Sequence, residues 1–178
     1  MVLIMTDDAG NEIGERLRGE LQALGAQAEL LPLGGVRVQP CVNCGTCTKR
    51  TPGRCATRDD GDWIYPKVAE AEAVVVVTPV VFGGYSARVK RVLDKFGLFM
   101  DSHYFVENGE LVKGGLIGRR FRYFAVGLGE MIGGEAEVFL RLVHETILLT
   151  RGTGRALFAR DLAGAEALRE FAAEVANA

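Results

Sequence analysis

All four cysteines of this 178-residue chain stand in one short stretch, CVNCGTCTKRTPGRC, as Cys41, Cys44, Cys47 and Cys55. Their spacing is C-x2-C-x2-C-x7-C. Thiolates are soft metal ligands and redox groups, so a set of four points to one of three chemistries. A compact C-x2-C-x2-C run lets one backbone turn wrap an iron–sulfur cube while the fourth ligand arrives from farther along. One set of four suits a single 4Fe–4S cluster, and Gly45, Gly53, Thr46 and Thr48 add amides and hydroxyls that could donate to its sulfurs. Zinc is the second reading, although four-cysteine zinc sites usually pair two knuckles across a longer gap. The third is a loop without metal, its thiols free or joined in a redox-active disulfide. The spacing alone leaves all three open.

The rest of the chain must position this loop. Hydrophobic residues make up 48% and charged residues 25%, with a net charge of −2, an ordinary globular balance with no basic surface for nucleic acid. The longest apolar run, AVVVVTPVVFGG, is too short and too broken by Gly and Pro to span a bilayer. MVLIMTDD lacks the basic start and cleavage site of a signal peptide, so a cytoplasmic protein is expected, where clustered thiols bind metal or do redox work more often than they form structural disulfides. The length fits one domain over residues 1–178, with a cysteine loop at 38–58 and an excursion at 101–118.

Hydrophobic patterning alternates strand and helix. VLIM (2–5) reads as a buried strand, and Ile13, Leu17, Leu21 and Leu24 fall at helical spacing before Gly25. AQAELLPL (26–33) is a second strand. Asp59 or Asp60 can cap a helix through about Ala71, with Trp63, Val68 and Ala71 inward. AVVVVT (73–78) is β-branched without polar alternation, so both its faces should be covered. TPVVFGGYS reads as a loop, 86–96 as a helix, and Asn108-Gly109 as a hairpin signal within the excursion. RRFRYFAV (119–126) is a strand running into GLGEMIGGE, followed by a helix to about Leu149, a short strand at 154–159 and a closing helix. This order predicts a three-layer α/β sandwich around a five-stranded parallel sheet in the flavodoxin-like order 2-1-3-4-5. Ligands of such sheets bind beyond the carboxyl ends of the strands. The loops TDDAGN, TPVVFGGYS and GLGEMIGGE would meet there, and glycine in two of them lets backbone amides approach a ligand closely.

TPVVFGGYSARVKRVLDKF resembles the NADPH-dependent FMN reductase family, which carries a Pro-Val/aromatic-Gly loop, a Ser and a Lys-x-x-Leu-Asp helix. CVNCGTCTKRTPGRCATRDDGDWI resembles the cysteine segment of iron–sulfur flavoproteins, and VGLGEMIGGEAEVFLRLV the second flavin loop and its helix. The resemblance implies an FMN-binding fold. It implies that Thr78, Pro79, Val80, Val81, Phe82 and Gly83 cradle the isoalloxazine and ribityl, and that Gly127, Leu128, Gly129 and Gly134 close the other side. Some similar reductases keep such a cysteine segment as an ordinary loop.

The first loop departs from the pattern. Thr6, Gly10 and Asn11 are compatible with an FMN-phosphate turn, but Asp7, Asp8 and Glu12 would repel a phosphate by about 1 kcal/mol each, and the family's Arg is missing. The expectation is a phosphate site that is weak, altered or completed by another subunit; capping is the other role open to Asp8 or Asn11. His103 and His144 lack sequence neighbours for a triad or metal, Tyr85 could be a packing residue, and the acidic pairs Asp59–Asp60 and Glu107/Glu110 read as capping and solvated charge. RRFR (119–122) could attract an NADPH phosphate.

The function these readings imply is a flavin oxidoreductase. FMN would accept hydride from NAD(P)H as co-substrate and pass electrons to a small-molecule or protein acceptor, with no side chain required as acid or base. The family habit implies a homodimer or homotetramer. The competing reading is a small electron-transfer or redox-sensing protein centred on the cysteine loop, and a third is a fold kept without flavin.

Overall fold

The computed structural model describes residues 1–115 and 121–177. Its elements run β1 (Val2–Thr6), α1 (Asn11–Ala23), β2 (Ala28–Pro32), a one-turn α2 (Thr46–Lys49), α3 (Gly61–Glu70), β3 (Ala73–Val81), β4 (Gly84–Tyr85), α4 (Ala87–Leu93), β5 (Met100–Glu107), β6 (Glu110–Gly115), β7 (Tyr123–Leu128), α5 (Glu135–Leu149), β8 (Ala156–Phe158) and α6 (Ala165–Asn177). The central sheet orders its parallel strands β2-β1-β3-β7-β8, which is 2-1-3-4-5 when these five are counted in chain order. The fold is the expected flavodoxin-like α/β sheet, extended by a two-residue β4 paired antiparallel to the end of β3.

Alternation along the strands splits the core in two. Val2 and Ile4 of β1, Val75 and Val77 of β3, and Phe124 and Val126 of β7 pack with Leu17 and Leu21 of α1 and with Leu168, Phe171 and Val175 of α6. Their neighbours Leu3, Met5, Val74, Val76, Tyr123 and Ala125 face the other way, onto Ile64 and Val68 of α3, Val89 and Val92 of α4, and Phe139 and Val143 of α5. The valine run is apolar throughout because helices cover both of its faces. Each such fully enclosed side chain contributes about 1.5–3 kcal/mol of burial, which fixes the register that sets the loops at the sheet's rim.

Several details differ from the sequence pattern. Leu24, at the end of α1, is 46% exposed, because Gly25 at φ 80° turns the chain away there. Trp63 is 43% exposed rather than inward, its indole N–H donating to Asp60 Oδ1 at 3.3 Å. The stretch expected as the loop TPVVFGGYS instead prolongs β3 to Val81 and returns through Phe82 and Gly83 into β4. The excursion is the antiparallel hairpin β5–β6, with Asn108 and Gly109 both at positive φ (53° and 84°), the backbone of a type I′ turn. Residues 116–120, which include the end of the excursion and the arginines 119 and 120, lie outside the described residues. Among the described residues no helix is long and apolar enough to cross a membrane.

Candidate functional site

Three loops meet at the carboxyl rim of the sheet. Asp7, just past β1, donates its backbone N–H to Val77 O at 2.9 Å. Its carboxylate accepts from the Ser86 hydroxyl at 2.5 Å, and Thr78 Oγ1 accepts the Ser86 backbone N–H at 3.0 Å, so Ser86 ties the first loop to the second. The second loop in turn packs on the third: a Cβ at Gly83 would stand 2.6 Å from Val138 Cγ1, at the start of α5.

Arg88 is the residue that sequence reasoning missed at this rim. Its Nη1 lies 2.7 Å from Asp8 Oδ2 and 3.5 Å from Asp7 Oδ1. The two carboxylates that looked hostile to a phosphate are therefore offset by a guanidinium from α4, eighty positions downstream of Asp8. The cation absent from the first loop is supplied across space. The one signal for it was the basic ARVKR run that opens α4.

The predicted cofactor residues divide into two groups. Thr6, Gly10, Thr78, Gly83, Gly127 and Leu128 are enclosed and shape the rim. Thr6 Oγ1 donates to Asn11 Oδ1 at 2.5 Å, and a Cβ on Gly10 would stand 2.7 Å from Val77 Cγ1. At Gly127 a Cβ would meet Val80, Phe158 and Phe139 at 2.8, 2.9 and 3.0 Å. Asn11, Pro79 and Val80 are half-buried, while Val81, Phe82, Gly129 and Gly134 are exposed. Around Gly129, Gly133 and Gly134 no atom beyond the chain neighbours comes within 4 Å of where a Cβ would stand, so their backbone is open to approach. Phe82 is 92% exposed at φ 50°, a left-handed conformation that a bulky residue adopts only when its surroundings impose it. A flat, weakly polar ring system needs this pairing of an apolar wall with accessible main chain, so the residues present fit FMN. Tyr85 is a packing residue: it is buried, edge-on to Phe139, and its hydroxyl accepts from Tyr123 at 3.1 Å.

The cysteine loop forms a second centre. Cys41, Cys44, Cys47 and Cys55 all border one cavity of about 160 Å³, which Lys95 and, from β6, Lys113 also line. All four are free cysteines, the first two exposed and the last two partly buried against the core. Burial pushes the Cys47 thiol up, and its neighbours Cys55, Cys41 and Cys44 add to the shift. Hydrogen bonds from Thr46, side chain and backbone, bring Cys44 down. Among the described residues no set of three or more His, Cys, Asp or Glu converges as the ligands of a single metal ion.

Two aspartates pin the entrance of this loop. Asp60 Oδ2 accepts the Arg37 N–H at 2.6 Å, and Asp59 Oδ2 accepts the Gln39 N–H at 2.8 Å. Asp59 Oδ1 takes the Gly61 N–H at 2.8 Å, which caps α3 as expected. The reading of Asp59 as solvated charge is corrected: its side chain is 5% exposed and faces Lys95. Burial alone would raise the Asp59 carboxyl, but hydrogen bonds from Lys95, Gln39 and Gly61 outweigh it and hold the group below the usual carboxylate range. His103 is exposed and pairs with Asp101 at 2.9 Å. Arg122, the described member of RRFR that bridges to Thr153, precedes β7 at the opposite rim and donates to Val175 O.

A parallel sheet in this strand order, with three joined loops at its carboxyl rim, defines a flavodoxin-like protein with a ligand-binding edge. The chain belongs to the NADPH-dependent FMN reductase family, whose profile matches residues 8–144. It is 30% identical over 142 residues to an iron-sulfur flavoprotein of Archaeoglobus fulgidus, covering 78% of this chain and 68% of that one. It is 35% identical over 71 residues to another from Methanocaldococcus jannaschii, covering 40% of this chain and 36% of the relative. Among solved structures, the flavodoxin, WrbA-like protein of Agrobacterium tumefaciens aligns with a TM-score of 0.52 at 17% identity, over 99% of this chain and 94% of that one, a likeness of fold.

Proposed function

We propose that the chain is an FMN-dependent oxidoreductase that draws electrons from a reduced nicotinamide nucleotide and delivers them to a small-molecule or protein acceptor. The observation that carries this reading is the junction of the three rim loops through Ser86 and Gly83, with Phe82 exposed on the second loop and Gly129, Gly133 and Gly134 of the third open around their Cα atoms. FMN, when bound, supplies a centre that takes up two electrons and releases them singly or in pairs. Val81, Phe82 and the open glycines would hold its ring. The Thr6–Asn11 turn, with Arg88 offsetting Asp7 and Asp8, would receive its phosphate. These residues orient the ring and keep water from it; none is asked to move a proton. Val81, Phe82, Ile132 and Val138 leave apolar surface at this rim, which supports a homodimer or homotetramer whose partner covers it.

A second reading adds an iron–sulfur cluster at Cys41, Cys44, Cys47 and Cys55. A zinc ion needs its sulfurs drawn to within about 2.3 Å of one point. The observation that supports a shared polynuclear group is that all four thiols border one cavity. The names of the curated relatives support the same reading.

Anaerobic purification followed by absorbance and by iron and sulfide analysis tests both. The expected protein is yellow, with the two-banded spectrum of an oxidised flavin and about four iron and four sulfide per chain. A colourless protein that takes up no added FMN overturns the first reading. A flavin-loaded protein free of iron and sulfide overturns the second alone.

A further inference from the structure

A second cavity at the carboxyl rim, of about 470 Å³, lies between the segment after β2 and helix α4. It is bounded by Asp7 and Ser86, the residues that join the first two rim loops, and is therefore continuous with the proposed flavin edge. Its volume falls in the range of small-molecule pockets, about 300–1,000 Å³. Leu33, Val38 and Val92, each at most 6% exposed, give it an apolar floor, and Arg88 and Arg91 give it a cationic wall.

The two arginines differ. They stand three positions apart on α4, so they share a face. Arg88 is engaged by Asp8 and Asp7. Arg91 is exposed, and no ion pair or hydrogen bond of its side chain occurs among the described residues. An unengaged guanidinium at the mouth of an apolar-floored cavity is suited to phosphate oxygens, which it can take in a bidentate fork. Arg88, held by Asp8 and Asp7, stays with the first loop and adds only its positive field to the cavity wall, so the direct contact to an anion falls to Arg91.

We propose that this cavity receives the phosphorylated adenosine half of the nicotinamide nucleotide, with Arg91 as its principal phosphate ligand and Leu33, Val38 and Val92 beneath the apolar part. This rests on the reading of the chain as a nicotinamide-dependent flavoprotein. It also supplies a phosphate-attracting arginine at the rim where the flavin would sit, whereas Arg122 stands at the opposite rim, before β7.

The test is titration calorimetry on the FMN-loaded protein with 2′,5′-ADP, 5′-AMP and inorganic phosphate. The expected result is that 2′,5′-ADP or 5′-AMP binds more tightly than inorganic phosphate. Arg91→Gln weakens that binding at least tenfold with FMN content unchanged, Arg91→Lys recovers part of it, and Arg141→Gln on α5 has no effect. The affinity should fall as salt is raised. Equal affinity for the nucleotides and inorganic phosphate, an unaltered affinity in Arg91→Gln, or displacement of FMN by 2′,5′-ADP each overturns the proposal. A protein that holds no FMN fails the flavoprotein reading instead, and nucleotide binding to it, measured in the same way, reports on the cavity separately.

Discussion

The ammonium of Lys95 lies 2.5 Å from the carboxylate of Asp59, and the two side chains are only 2% and 5% exposed. Lys95 lines the four-thiol cavity, and Asp59 holds the entrance of the cysteine loop to the start of α3. The pair is thus both a buried ion pair and a hinge pin for the loop.

Removing one partner leaves the other charged and enclosed. Lys95→Met is expected to cost about 3–5 kcal/mol of stability, and Asp59→Asn combined with Lys95→Met should recover a large part of it. Urea denaturation of the single and double variants measures both. A double variant no more stable than Lys95→Met would mean that the lysine acts through packing and not through its charge.

The same carboxylate gives the fold an acid sensitivity. Its folded value is depressed below the unfolded value of about 3.9, so its contribution is fully present above that pH. The contribution disappears as pH falls through the lower folded value. Melting temperatures of the native protein and of Asp59→Asn should therefore differ most at neutral pH and converge in strong acid. Protease cleavage within residues 41–55 should rise over the same acid range.

Phe82 occupies a turn position that favours glycine or asparagine, at a strain of about 1 kcal/mol. Phe82→Gly should stabilise the flavin-free protein by about that amount while weakening FMN binding at least several-fold, as followed by quenching of flavin fluorescence. Unchanged FMN affinity would remove Phe82 from the ring's wall.

The thiols should separate by reactivity. In metal-free protein at pH 7.5, iodoacetamide followed by peptide mass spectrometry should modify exposed Cys44 before Cys47, because Thr46 favours the Cys44 thiolate and burial disfavours that of Cys47. Cys47→Ser should abolish bound iron and sulfide while leaving the flavin spectrum intact. Loss of both would give the loop a purely structural role.

The sheet order was legible because burial on two faces imposes an unbroken valine run and helices of period 3.6, and both are local patterns. The site was legible only as loops. Ser86 meets Asp7 from 79 positions away, Arg88 meets Asp8 from 80, and Lys95 meets Asp59 from 36. No window of sequence contains such partners. The turn at Phe82 and Gly83 was hidden for a different reason: its backbone belongs to the type that Asn-Gly announces, but the residue at its first position does not announce it. Gly10 and Gly127 are also bounded by neighbouring side chains at distances that leave no space for a Cβ, a constraint visible only in packing.

Helix α4 and the turn after it form a partition between two chambers. Arg88, Arg91 and Val92 look into one, while Asp94, Lys95 and Leu98 look into the other. From Arg91 to Lys95 is about one helical turn, roughly 6 Å of rise. Lengthening or shortening this segment by a single residue would swing the walls of both rooms by about 100° at once, so evolution can retune either chamber by point substitution but cannot resize the partition for one without disturbing the other.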